Sequence, residues 1–307
     1  MSTATAAHAR FGTHDITITS PEMGELRDSS DAAGDLAVLH RRLADDGYLM
    51  LRGFHDRDEV LAARRAMMAE FHRQQPAGFR PGSDPLDGLV QPGAGGSFGG
   101  GSAVSRLPEF LRVVEGRRPF DFFTGLLGGP AVTFDFKWAR LVAPRDQTGA
   151  HYDSVYMGRG TTRLFTTWNA LGDLPYEMGP LALVPGSHTL PGYQKVRDTY
   201  GRMDVDRDRV DGWFENDPLR VTQAYGGQWA TAEFRAGDVL IFGMNIMHAS
   251  LLNTSDRYRL TADTRYQREG DPIDERWIGK APKGHYAWFS EPEKIRKMEA
   301  MRQEWGV

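Results

Sequence analysis

The chain has 307 residues, of which 40% are hydrophobic and 25% charged, and its formal net charge is -4. This is the composition of a globular protein with a sizeable core, and it offers no excess of basic residues to neutralise a nucleic-acid backbone. The sequence contains no cysteine, which excludes disulfides, thiolate metal sites and a cysteine nucleophile. Any metal must therefore be held by nitrogen and oxygen ligands.

Targeting and membrane signals are not found. No apolar run approaches the roughly 18 residues that span a bilayer, and the start, MSTATAAHARFGTHD, lacks the apolar stretch of a secretory signal. The ending QEWGV is not a peroxisomal address. We therefore expect a cytoplasmic protein that acts on a small molecule, with no nucleic-acid or membrane partner. The sequence leaves the oligomeric state open.

The N-terminal part predicts helices. Leucines at helical spacing between residues 32 and 46, ended by Gly47, predict a helix that is followed by a strand. Residues 58–72 predict a second amphipathic helix, and two short helices are expected within 107–128.

Residues 1–30 are polar and without periodicity, so we expect an N-terminal arm followed by a single domain over 31–307. The segment 76–103 is rich in glycine and proline and predicts no regular structure, either as a lid or as a disordered excursion. It lacks G-x-G-x-x-G, so a dinucleotide cradle is not indicated. The charged insert 191–230 is a second candidate lid, with a solvated excursion as the alternative.

The rest of the chain has β patterns. Short strand-like segments separated by turn signals, without long helices between them, predict an antiparallel sandwich or barrel with helices on its outside, a mainly β fold with flanking helices. The last residues, SEPEKIRKMEAMRQEWGV, predict one more charged helix. The strand-like segments are AVTFDFKWARLVAP, TTRLFTTWNAL, GPLALVPGSH, WATAEFRAGDVLIFG, HASLLNTS and YRLTADTRYQ.

The stretch TGAHYDSVY places His151 and Asp153 two residues apart. On a strand, positions i and i+2 face the same side, so both side chains could reach one ion. Alone, such a pair is more often a surface His/Asp pair that occurs by chance than half of a metal site. Tyr152 would then face the other way and is expected to be packing.

His248 follows the apolar run GDVLIFGMNIM, where a lone histidine is usually a core residue, but it completes a longer pattern. H-x-D is followed by about 95 residues, a histidine, and Arg259 eleven positions further on. Two imidazoles and one carboxylate on one face of an octahedron form the facial triad of non-haem Fe(II) oxygenases, with three positions left open. A 2-oxo acid and dioxygen can take those positions, and an arginine can grip the far carboxylate of the acid.

With these motifs the sequence resembles the phytanoyl-CoA dioxygenase-like branch of the Fe(II)/2-oxoglutarate oxygenases over about residues 35 to 268. The resemblance rests on HYD at 151–153, GPLALVPGSH at 179–188, and GDVLIFGMNIMHASLLNTSDRYRLTADTRY from Gly237, with DGYLMLRGF at 46–54 matching the start of the core. It implies a double-stranded β-helix, a cupin-like jelly roll. It also implies Fe(II), 2-oxoglutarate and O2 as cofactor and co-substrates.

The resemblance further implies roles for individual residues. His151, Asp153 and His248 match the iron ligands. Arg259 matches the arginine that pairs with the 5-carboxylate of 2-oxoglutarate, and Ser250 matches a position that often hydrogen-bonds that carboxylate.

The sequence also gives expectations for other side chains near these motifs. Trp168 and Thr162 are expected to line the cofactor pocket, with core packing as the alternative for Trp168. We expect Lys137 to point to solvent. Pro185-Gly186 in VPGSH predicts a tight turn capped by His188. Asn253 to Asp256 in HASLLNTSDRYR predict a polar hairpin turn.

The carboxylate at position 153 matters for the reaction. Halogenases of the superfamily have glycine or alanine there, so Asp153 favours hydroxylation or a related oxidation, with release of succinate and CO2. A free small metabolite is the expected substrate, because the sequence has no concentrated basic patch for an acyl-CoA. Two alternatives remain: a cupin-like metal enzyme that does not use 2-oxoglutarate, and a catalytically silent jelly-roll binding module.

Overall fold

A computed structural model describes residues 7–93, 96–100 and 103–307. The elements of the N-terminal part are β1 (His8–Phe11), β2 (His14–Thr17), β3 (Met23–Glu25), α1 (Leu36–Asp46), β4 (Tyr48–Leu51), α2 (Arg57–Gln74), β5 (Phe98–Gly100), α3 (Pro108–Val114) and α4 (Arg117–Leu127). The central elements are β6 (Ala131–Thr133), β7 (Trp138–Val142), α5 (Ser154–Met157), β8 (Phe165–Ala170), β9 (Leu181–Leu183), α6 (Gln194–Asp198), α7 (Val205–Asp208) and α8 (Pro218–Tyr225). The last elements are β10 (Trp229–Thr231), β11 (Val239–Gly243), β12 (His248–Ser250), β13 (Arg259–Arg268), α9 (Ala287–Ser290) and α10 (Met298–Trp305).

Two sheets form the centre of the fold. The larger has the strand order β4-β11-β8-β13-β7-β5, with β6 also paired to β13, and the smaller has the order β12-β9-β10-β3. Their strands pair antiparallel except β10 with β3. Side chains of both sheets, among them Trp168, Phe242 and Leu183, pack in one buried cluster. The sheets therefore face each other as in a jelly roll, the predicted fold class.

Helices cover the outer face of the larger sheet. Residues of α2 and α3 pack on Leu141 and Leu260, while residues of α1 and α4 pack on Leu49 and Ile241. The predicted helices of this region are confirmed. α1 begins where Asp35 accepts the N–H of Val38 and ends at Gly47, whose φ of 80° is the left-handed conformation that glycine adopts most easily.

The insert 191–230 covers the outer face of the smaller sheet. Its residues Tyr193, Val196 and Leu219 pack in one cluster with Ala182 and Ala249 of that sheet. The cluster also contains Phe11 and Ile16 of the β1–β2 hairpin. The N-terminal segment thus packs on the insert, and β3 extends the smaller sheet through β10.

Three sequence-based expectations are corrected by the structure. The charged C-terminal helix is shorter than predicted: Pro292–Lys294 form only a short 3-10 helix, the backbone is extended at Ile295 and Lys297, and α10 begins only at Met298. The glycine-rich segment contains strand β5, although residues 94–95 and 101–102 of it lie outside the described part of the chain. Asn253–Asp256 do not close a hairpin, since β12 and β13 belong to different sheets.

None of the helices in the described part of the chain combines the length and the apolarity that a bilayer span requires.

Candidate active site

His151 and Asp153 reach the site by a route that the strand pattern did not predict. His151 forms a single bridge to His248, its N–H donating to the His248 carbonyl at 2.9 Å and its own carbonyl accepting in return at 3.1 Å. Asp153 already has helical backbone angles, φ -69° and ψ -25°, and precedes α5. The expectation of two ligands alternating on one strand is therefore wrong: the chain turns out of the sheet between them.

The three predicted ligands nevertheless come together. The Asp153 Oδ1 atom lies 3.9 Å from His151 Nε2 and 3.7 Å from His248 Nε2. One ligand atom from each residue lies within 4.8 Å of the others, and all three residues are buried. Two bonds of about 2.0–2.2 Å from a single ion can span the separations of 3.9 and 3.7 Å.

Backbone carbonyls orient both imidazoles. Nδ1 of His151 lies 2.8 Å from the carbonyl of Gly149, and Nδ1 of His248 lies 2.9 Å from that of Ile246. If each Nδ1 carries the proton and donates it, each Nε2 presents a lone pair to the site. Burial lowers the pKa of His151 to about 3, assisted by the nearby His248, and burial also lowers that of His248. Both rings are therefore neutral at pH 7, as metal ligation requires.

Asp153 is held by two neighbours on its second oxygen. The hydroxyl of Thr166 donates to Oδ2, and Nη2 of Arg265 donates to the same atom at 3.2 Å. Burial alone would raise the pKa of Asp153, but Arg265 and the two histidines hold it below its ordinary value. The carboxylate is thus ionised, with Oδ1 directed to the histidines.

Arg259 lines the same cavity, and two of its nitrogen donors are unpaired within the described residues. Its side chain is 1% exposed, and its Nε and Nη1 atoms have no hydrogen-bond partner in the described part of the chain. Burial and repulsion by Arg140 lower its pKa to about 10, so it stays protonated at pH 7. A buried cation with unpaired donors is costly unless it meets an anion.

Of the other three residues predicted to bind the cofactor, only Trp168 lines this cavity; Ser250 and Thr162 do not. Trp168 lines the cavity and packs its ring on Phe234 at 4.8 Å. Ser250 lies behind the cavity wall, where its hydroxyl accepts the N–H of Thr148 at 2.9 Å. Thr162 is exposed and borders a different surface pocket. It precedes β8, whose own Thr166 occupies the position at the site.

Two further expectations concern residues outside the site. Tyr152 is confirmed as a packing residue, buried against Tyr200 with 5.6 Å between the ring centroids. Lys137 was expected in solvent but is 1% exposed and pairs with Glu115 at 2.7 Å. Lys137 immediately precedes β7, and Glu115 caps the C-terminal end of α3. The buried ammonium therefore has its ion partner at the end of a helix that covers the sheet.

The VPGSH segment supports the second histidine of the site. Gly186 has the positive φ of 75° expected at a tight turn, and the next hydroxyl, Ser187 Oγ, accepts the N–H of Met247 at 2.9 Å. Nε2 of His188 lies 3.1 Å from the carbonyl of Ala44. The turn thus fixes the backbone immediately before His248.

Five polar residues of the cavity were missed in the sequence: Arg140, Thr148, Thr166, Asp263 and Arg265. A signal was present in RLTADTR, where Arg259, Asp263 and Arg265 alternate with other residues. Alternate residues of a strand share a face. Charges recurring at this period on a buried strand indicate a face that lines a site.

Fold and geometry together define the class of the protein: a jelly roll whose two sheets enclose a His-Asp-His facial triad beside a buried arginine. The model of the phytanoyl-CoA dioxygenase (PhyH) family matches residues 126–261, which contain the triad and Arg259. The resemblance recognised in the sequence is thereby confirmed over that segment. Comparison with curated protein sequences gives no match.

Solved structures agree on the fold. EctD from S. alaskensis, in its apoform, is 18% identical with a TM-score of 0.56, over 95% of each chain. The epimerase SnoN in complex with Fe3+, alpha ketoglutarate and nogalamycin RO is 23% identical with a TM-score of 0.54, over 78% of this chain and 86% of SnoN. The carbocyclase SnoK from nogalamycin biosynthesis is 20% identical with a TM-score of 0.53, over 78% of this chain and 87% of SnoK. At these identities the likeness concerns the fold.

Proposed function

We propose that the protein is an Fe(II)/2-oxoglutarate-dependent oxygenase that oxidises a C–H bond of a small-molecule metabolite. The observation that carries the proposal is a buried arginine with unpaired donors, Arg259, in the cavity that holds the His-Asp-His triad. A triad alone would suit a cupin-like metal enzyme. The arginine adds a site for a co-substrate that carries a carboxylate.

The donor set fits iron. Two neutral imidazoles and one ionised carboxylate, with no thiolate in the chain, match the facial arrangement that non-haem Fe(II) oxygenases use. His151, Asp153 and His248 would hold the metal. With 2-oxoglutarate and dioxygen, iron supplies an oxidant for unactivated C–H bonds, and succinate and CO2 are released.

The chain's own groups prepare this chemistry. Arg259, whose Nε and Nη1 atoms have no hydrogen-bond partner among the described residues, would bind the far carboxylate of 2-oxoglutarate. Trp168 and Phe242, both nearly fully buried, form apolar walls that keep water away from the reacting groups. Thr166 and Arg265 keep Asp153 in place while the co-substrate and substrate enter and leave.

Hydroxylation is the outcome that we propose for the oxidised carbon. Asp153 supports it, because a carboxylate at this position leaves no ligand site for a halide. Structures with the same fold include the epimerase SnoN and the carbocyclase SnoK, so the identity of the product is a separate question from the class of reaction.

The test is anaerobic addition of Fe(II) and 2-oxoglutarate to the purified protein. We expect the weak visible charge-transfer band of the chelate, followed by substrate-dependent succinate release when air and a metabolite panel are added. Arg259→Gln should weaken 2-oxoglutarate binding by about 10- to 100-fold, the effect of losing hydrogen bonds to a charged group.

The matched control is Arg257→Gln, two residues earlier and 48% exposed in its side chain. It should leave the band unchanged. Absence of the band and of succinate in the wild-type protein would contradict the proposal. A metal-dependent activity that survives Arg259→Gln would instead identify an enzyme that does not use 2-oxoglutarate.

A further inference from the structure

Two residues form the least buried part of the cavity wall. Of the residues that line the cavity, only Arg140 and Thr148 are not buried. We therefore expect an organic substrate to enter the cavity on the side of these two residues. A charged side chain at this place would contribute to substrate specificity.

Arg140 is fixed on this side of the cavity through one of its three nitrogens. Its Nε donates to Oδ2 of Asp263 at 2.5 Å, and its side chain is 36% exposed whereas that of Asp263 is 8% exposed. Neither terminal nitrogen of Arg140 forms a hydrogen bond with a described residue. The outer end of the guanidinium therefore stays unpaired within the described residues, in a defined orientation.

The position paired with this arginine carries no side chain. Gly99 of β5 stands directly opposite Arg140 of β7 in the antiparallel pairing. Side chains at such paired positions share a face of the sheet, and Gly99 has none. A Cβ added there would meet only the carbonyl oxygen of Ala139, at 3.8 Å, within the described residues.

The charges around the cavity indicate the sign of the ligand. Three arginines and two aspartates line it, which leaves a single formal positive charge. A divalent ion raises the total to three positive charges, and the two carboxylates of 2-oxoglutarate lower it to one. One more anionic group would bring the closed site to neutrality, the least costly state for a buried set of charges.

We propose that Arg140, held by Asp263 and open on the Gly99 side, binds a carboxylate of the organic substrate. This inference rests on the proposed function and narrows its substrate class to small organic acids. Arg259, at 1% exposure, lies deeper and serves the co-substrate. Arg140 lies on the less buried side of the cavity, where its side chain is 36% exposed.

The test uses trifluoroacetate as a probe of the anion site. The full-length protein is loaded with Mn(II) and saturating 2-oxoglutarate, and paramagnetic relaxation of the 19F signal reports probe molecules close to the metal. We expect saturable relaxation for trifluoroacetate and none for the neutral trifluoroacetamide. In Arg140→Gln the dissociation constant of the probe should rise at least tenfold, as expected when a charge-assisted hydrogen bond is lost.

Three further variants sharpen the test. Arg140→Lys should show intermediate affinity, because it keeps the charge and loses the planar fork. Gly99→Leu should exclude the probe by filling the space beside the arginine. Equal unfolding midpoints of Gly99→Leu and the wild type would show that the variant is folded. Arg257→Gln, on an exposed turn, should behave as wild type.

Two results would overturn the inference. The first is equal relaxation of trifluoroacetate in the wild-type protein and in Arg140→Gln. The second is a tenfold loss of 2-oxoglutarate affinity in Arg140→Gln, measured by the anaerobic Fe(II) band, which would assign the arginine to the co-substrate. Failure of the proposed function would look different, since the band would then be missing from the wild-type protein while the Mn(II) measurement could still be made.

Discussion

The hydroxyl of Thr166 offers a clean perturbation of the metal site. Thr166→Val keeps the shape and the charge of the site but removes the hydrogen bond to Oδ2 of Asp153, and both residues are buried. Loss of a hydrogen bond to a charged group costs about 1.5–3 kcal/mol. Since 1.4 kcal/mol is a factor of ten, we expect roughly 10- to 100-fold weaker metal binding, the range found for residues that orient metal ligands.

The neighbouring residue supplies a matched control. Thr167 is also buried on β8, but its hydroxyl has no hydrogen-bond partner among the described residues. Thr167→Val should therefore leave metal affinity unchanged and should not lower the unfolding midpoint, since it removes an unsatisfied polar group. Mn(II) affinity can be measured from the electron paramagnetic resonance signal of the free ion. Equal Mn(II) affinities of the two variants would refute the assignment of Thr166 as a positioning residue.

Three more predictions concern stability. Burial lowers the pKa of His55 to about 4. Because this histidine takes up its proton near pH 6.5 in the unfolded chain, the stability of the folded protein falls as the pH is lowered from about 6.5 to 4. Urea unfolding midpoints should show a smaller fall in His55→Gln, whereas the exposed His8→Gln should behave as wild type. Glu115→Gln leaves the buried ammonium of Lys137 without its ion partner and should lower the free energy of unfolding by about 1–3 kcal/mol, measured with denaturant. Lys137→Met should lower it less, because it removes the buried charge itself. The reverse order of the two variants would contradict this account. Mn(II) at a hundredfold excess over its dissociation constant should stabilise the wild type by about 2.7 kcal/mol, and a similar shift in the calorimetric midpoint of Asp153→Asn would place the ion elsewhere.

The parts of the site that sequence reasoning predicted are those where the chemistry limits the choice of residue. A facial triad needs two imidazoles and one carboxylate, so H-x-D followed by His248 could be recognised without knowing which strands pair. The residues could be named, but their route could not: Asp153 lies at the start of α5 rather than on a strand. The backbone angles between His151 and Asp153 depend on the pairing of His151 with His248, which the local sequence does not reveal.

Residues that act through register were harder to predict. Arg140 and Asp263 meet because β7 pairs with β13, and that pairing is a property of the whole sheet. Lys137 illustrates the same limit, because its partner Glu115 lies just after α3, 22 residues earlier in the chain. A lysine in a strand pattern suggests solvent until the helix that covers the sheet is placed.

The single strand β13 explains much of the site's electrostatics. Its inward face carries Arg259, Asp263 and Arg265, and three buried charges on one strand are tolerated only if each has a partner. Arg265 has Asp153, and Asp263 has Arg140. Arg259 alone has unpaired donors, so the deep end of the cavity needs an anion from outside the chain. It follows that a ligand carrying a carboxylate should stabilise the folded protein more than its uncharged amide does.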